Sequence, residues 1–167
     1  QMKKLYEESA AIFREVDPNN ANLPFLLEDF GGSLRNFGDY DQAQQTYTES
    51  LDLFRKKDGE IHYNTARLYS ALAIVFVFFC ENARADEYLQ EGEKRFNQLI
   101  DKNLSKSFVI EQARFELAKG NSGKAETLLE TTLAENSIDR NSSFAKELVA
   151  NLHLVYLKDG NNPKLAD

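Results

Sequence analysis

The side chains that could carry chemistry are few and scattered. There are two histidines, His62 and His153, and one cysteine, Cys80. A bound metal needs several ligands in one small shell, and the sequence has no HExxH run and no cysteine cluster. No metal and no cofactor is therefore expected. The adjacent carboxylates Glu28 and Asp29 come closest to a general acid–base pair, but they sit in a helical pattern and read as a solvated or groove-facing helix edge. "FGGSL" at residues 30–34 has the glycines of a phosphate loop without its lysine. No nucleophile is paired with a base, so the chain is expected not to be an enzyme. "NLS" at 103–105 and "NSS" at 141–143 match the glycosylation acceptor, a triplet that arises often by chance. His62, near a helix start, is expected to face solvent and His153 to pack in an atypical repeat. Cys80, in "FVFFCEN", is expected to be a small buried apolar residue, as free cysteines usually are.

The composition is that of a folded chain of helix formers. It has 167 residues, 42% hydrophobic and 28% charged, with only three prolines to interrupt long helical stretches. A net charge of −7, with no long run of Lys or Arg, argues against nucleic acid as the partner. One cysteine rules out a disulfide framework and suits a reducing compartment such as the cytoplasm. The longest apolar run, "ALAIVFVFFC" at 71–80, is too short for a bilayer, which takes about 20 residues. It reads as a buried helix segment, and no membrane association is expected.

What must position any functional surface is a repeat. Tyr6, Tyr47, Leu89 and Leu129 share one position; Ala43, Ala85, Ala125 and Leu165 share another, in steps of 40–42 residues. Ser9, Ser50, Gly92 and Thr132 form a third series, and Gly38, Cys80, Gly120 and Gly160 a fourth. Upstream of each lies a second ladder: Gly31, Ala73, Ala113 and His153, beside Leu27, Tyr69, Val109 and Val149. The spacing is helical, so each unit is a helix A, a tight turn and a helix B. Small residues mark where A and B approach closely. Gly38 ends helix A, Asp39 caps helix B, and Gln42 completes a capping-box pattern. Gly160, Asn162 and Pro163 repeat that logic near the end of the chain. Helices are expected at 2–16, 22–37, 40–57, 60–80, 82–99, 104–119, 122–136 and 142–159, with another starting at 162. The register opens inside a helix B and stops as another begins, so the chain reads as one repeat domain over 1–167, cut from a longer array. Its repeats are 1–20 (partial), 22–58, 60–100, 104–137 and 141–167 (partial).

These residues resemble the tetratricopeptide repeat, with "LLEDFGGSLRNFGDYDQAQQTYTESL" the closest match to its pattern. The period is similar to that of kinesin light chains and of bacterial regulators with repeat-built sensor arms. The resemblance implies an all-α, right-handed α-solenoid of antiparallel helix pairs whose A helices line a concave, partner-binding face. Carried over by position, the candidate groove residues are Arg35, Asn36, Arg67, Ser70, Ile74, Phe78, Arg114, Leu117 and Asn151. The family's chaperone-binding members clamp a terminal carboxylate with Lys, Asn and Arg. Glu28, Gly32, Ala71, Ser107 and Glu111 occupy those positions here, so that partner class is rejected. What remains is an apolar floor (Ile74, Val77, Phe78, Leu117, Leu154) flanked by arginines. Neighbouring repeats, a second copy of the chain, or a peptide or small ligand could cover it. The function expected is a protein–protein interaction module binding a peptide or protein in the groove. The alternative is the ligand- or peptide-sensing arm of a bacterial transcription regulator.

Overall fold

The computed structural model describes residues 2–17, 20–99, 107–135 and 138–158. Contacts group the chain into two compact units, residues 1–99 and 100–167. Among the described residues there are helices and turns but no strand. The first unit holds α1 (Met2–Val16), α2 (Leu23–Asn36), α3 (Tyr40–Asp58), α4 (Tyr63–Phe78) and α5 (Asn82–Gln98). The second holds α6 (Phe108–Ala118), α7 (Ser122–Leu133) and α8 (Ser143–Lys158). The fold is all-α, as the ladders require. The expected helix start at 104, the helix from 162, the caps Gly160, Asn162 and Pro163, and the triplet at 103–105 lie outside the described residues.

Turn chemistry sets the pairs. Gly38, Cys80 and Gly120 each follow a helix A, and all three have positive φ, at 83°, 61° and 83°. The chain reverses there through the left-handed region, where glycine is cheapest. Cys80 is thus a correction. It is exposed, not buried, because its place in the ladder is a helix stop and backbone geometry overrides the cysteine's apolar character. Asp39 caps α3 by accepting the Gln42 N–H at 3.4 Å. The Gln42 side chain does not close the capping box but donates to Glu7 of α1 at 3.3 Å. The His62 side chain is 42% exposed at a helix start, as expected. It is the N-cap of α4, with Nδ1 accepting the Asn64 N–H at 3.3 Å.

The small residues do what their spacing implies. Ala43, Ala73, Ala85 and Ala125 are fully enclosed. A methyl group added at Gly31 would stand 2.7 Å from the Tyr47 ring, and one at Gly92 would stand 2.9 Å from Ser70 Oγ. Ser50 Oγ donates to the Pro24 carbonyl at 2.7 Å. Early residues of each helix A therefore meet late residues of its helix B, the mark of an antiparallel pair. Neighbouring B helices are tied by Lys3–Asp39 at 2.9 Å and by a bidentate Arg14–Glu49 pair at 2.6 and 2.9 Å. In the second unit, Ile110, Ala113, Ala125, Leu129, Leu148 and Leu152 form the core. His153, expected to pack, is exposed on α8; the helix expected to cover that position lies outside the described residues.

Candidate functional site

In the first unit the candidate surface is the face of α2 and α4. α4 is apolar from Ala71 to Phe78 and packs between α3 and α5, with Leu72, Ala73, Val75 and Phe76 buried. Ile74, expected in the groove floor, is only 4% exposed. Ser70 is a correction. It does not look into a groove but is fully buried against Gly92, with no hydrogen-bond partner for its hydroxyl. Removing the Cβ at Gly92 brings the helices so close that the adjacent A-helix position is covered.

Phe78 behaves differently. It is 42% exposed at the last residue of α4, and its ring stacks on Tyr40 with centroids 4.5 Å apart and planes 4° from parallel. Tyr40 opens α3 and also meets Phe79 edge-on at 6.4 Å. Phe78 is therefore held in place on one side and open on the other. The sequence reading missed Tyr40, although an aromatic directly after a helix cap could have signalled it.

The arginines divide. Arg67 of α4 pairs with Glu28 of α2 and lies over the Tyr63 ring at 5.6 Å, so the Glu28 carboxylate ties adjacent A helices together. Arg114 of α6 does the same in the second unit. It donates to Glu111 at 3.0 Å, to Glu147 at 3.1 Å and to Asn151 Oδ1 at 3.0 Å. Asn151 is correspondingly buried rather than open to a groove, and it also donates to the Glu147 carbonyl at 2.8 Å. Leu117 packs against the second unit's core. Arg35, in the last turn of α2, makes no ion pair among the described residues and is half-buried; Asn36 beside it is exposed.

A charged network that the sequence reading did not anticipate lies at the other end of the first pairs. Arg95 of α5 donates to Glu60 at 3.1 Å, to Tyr69 Oη at 3.1 Å and to Glu91, and its guanidinium lies 3.9 Å over the Tyr69 ring. Arg55 of α3 pairs with the same Glu60. Burial alone would raise the Glu60 carboxyl, but hydrogen bonds and charge from Arg55 and Arg95 outweigh it and hold the group below its usual range. Glu91 is lowered mainly by its hydrogen bond from Arg95. In the second unit, burial and a hydrogen bond to Glu130 push the Tyr156 hydroxyl up to about 12. Glu60, Tyr69 and Tyr156 are engaged by side chains of other elements, and Glu91 by Arg95 of its own helix. Among the described residues no cluster of three His, Cys, Asp or Glu could hold a metal, and no helix is long and apolar enough to cross a membrane.

Helix pairs with left-handed stops at 38, 80 and 120 and small residues at the A–B contact are the pattern that the family comparison meets. Residues 25–98 match the family model of the tetratricopeptide repeat. This stretch is a tetratricopeptide repeat segment. The match spans α2 to α5, the two complete helix pairs of the first unit. Tetratricopeptide repeats mediate protein–protein interaction and are non-catalytic modules. Among curated proteins, none matches the sequence.

Proposed function

We propose that the chain is a non-catalytic interaction module that takes a peptide or protein partner on the A-helix face of its first unit, at the end formed by α2 and α4. The observation that carries this reading is Phe78, an aromatic ring stacked on Tyr40 yet 42% exposed. A preset aromatic loses little conformational freedom on binding, and such anchors are where interface energy concentrates. Arg35 and Asn36 supply polar groups on the same helix face, and Arg35 is the cation for an acidic or carboxylate-bearing partner. Arg67 and Arg114 now serve in a different capacity. Their carboxylate partners within the chain fix the spacing of adjacent A helices, so they shape the surface rather than contact the partner.

The test is a displayed peptide library selected on the wild-type protein and counter-screened on Phe78→Ala and Arg35→Ala. Selected peptides should share an acidic or C-terminal carboxylate group and lose affinity by about tenfold or more on either variant, the scale of a hot-spot truncation. Peptides that bind both variants as well as the wild type would place the site elsewhere.

A further inference from the structure

Phe78 has a counterpart at the opposite corner of the same face. Phe25, in the first turn of α2, meets the buried Phe54 edge-on with centroids 4.8 Å apart, and Lys57 Nζ lies 5.4 Å over its ring. It is nevertheless 40% exposed, close to the 42% of Phe78. Each ring is held from inside the fold and open on its outer side. Two preset aromatics on one surface can grip one chain at two points.

Their separation selects the partner's conformation. The ladder that sets Gly31 beside Ala73 sets Phe25 beside Arg67, eleven positions before Phe78. Arg67 reaches α2 at Glu28, one turn beyond Phe25, so the two helices keep that level. Eleven helical residues rise about 16 Å, and the step to the next helix adds about 10 Å sideways. The diagonal is about 19 Å, which an extended peptide covers in about six residues. An even separation returns both side chains to one face of an extended chain. The strip between the anchors suits a backbone lying flat. Gly32 and Ala71 carry little side chain, Ile74 is buried, and the Arg67–Glu28 pair closes the gap between α2 and α4. A filled strip does not admit a helix about 10 Å across.

Charge gives the path a direction. Asp29, one turn after Phe25 on the same side of α2, is exposed and makes no ion pair among the described residues. Lys57, at that end, is offset by Asp58 at 4.0 Å. Arg35, level with Val77 in the ladder, is the cation at the Phe78 end, where the Asp39 carboxylate is taken by Lys3. We propose, resting on the reading of Phe78 as an anchor, that the partner is an extended peptide with two apolar side chains about six residues apart. A basic group flanks the one seated at Phe25, and an acidic group flanks the one seated at Phe78.

The probes are synthetic copies of the peptides selected from the displayed library on the wild-type protein. Each is titrated against wild type, Phe25→Ala, Asp29→Lys and Phe78→Ala. Phe25→Ala should weaken binding about tenfold, and replacing the peptide's own apolar residue at that end by alanine should then cost little more. Asp29→Lys should weaken the same peptides, and changing their basic group to glutamate should restore affinity for this variant alone. Asp29 is exposed, so the charge reversal carries the test should Phe25→Ala loosen the Phe54 contact. Loss on Phe78→Ala with none on Phe25→Ala or Asp29→Lys would overturn the two-anchor path and leave the Phe78 site standing. Peptides indifferent to Phe78→Ala would overturn both.

Discussion

At Cys80 an L side chain sits at φ 61°, where Gly38 and Gly120 hold the equivalent turns. A left-handed conformation costs a non-glycine residue about 1–2 kcal/mol. Cys80→Gly should therefore raise the melting temperature by the equivalent of about 1 kcal/mol, less the extra unfolded-state freedom of glycine. An unchanged or lower melt would mean that the thiol makes a compensating contact. The A–B contact predicts the opposite sign. At Gly92 an alanine would gain about 1 kcal/mol of helix propensity, but its methyl would meet the Ala66 carbonyl oxygen at 3.2 Å and Ser70 Oγ at 2.9 Å. Backbone cannot swing aside, so overpacking should win, with a net loss of about 1–3 kcal/mol in urea denaturation. Gly123→Ala, with nothing within 4 Å of the new methyl, should be neutral or stabilising. Equal effects at the two glycines would show that the register is wrong. Residue spacing made the turn at 80 legible, since the ladder put Cys80 beside Gly38 and Gly120. Residue type misled, because a cysteine in an apolar run suggests burial. Ser70 was illegible for a related reason: family position assigned it to a groove, while the missing Cβ of Gly92 on another helix decides its burial.

Helix by helix, the sequence carried the architecture because apolar periodicity and turn residues are local signals. α3 lies between the Asp39 cap and Gly59, and α5 follows the left-handed stop at Cys80. α4 was legible as a buried helix, since "ALAIVFVFFC" has no polar face to offer solvent. What was not legible is how the elements are tied. Arg67 finds Glu28 on α2, Arg114 finds Glu147 on α8, and Arg95 finds Glu60 in the α3–α4 turn. Each partner is more than thirty residues away in the chain, and no pattern within one helix encodes it. The Glu60 and Glu91 carboxyls lie below their ordinary value of 4.5. Their contribution is fully present above that value and is lost as pH falls through the lowered folded-state values. The urea midpoint should therefore fall between neutral pH and about pH 3, and fall less steeply in Arg95→Met, which lacks the shared cation. Parallel curves for the two proteins would show that the network does not couple these helices.

Across the whole molecule, two compact units carry the described helices, and the tetratricopeptide repeat segment is the two-pair core of the first. Such repeats stack so that each buries the face its neighbour exposes. That rule accounts for the enclosed middle of α4, where α3 and α5 leave Phe76 only 1% exposed. It does not account for Phe78, two residues on, which is stacked from one side only. The central claim is that this end of α4 is kept open for a partner. Equilibrium denaturation of Phe78→Ala beside Phe76→Ala tests it most directly. Phe76→Ala removes a core ring and should cost about 3–5 kcal/mol. Phe78→Ala should cost only about 1 kcal/mol, the scale of one aromatic stack. A loss at Phe78 equal to that at Phe76 would contradict the account, because the ring would then be serving the fold and not a partner.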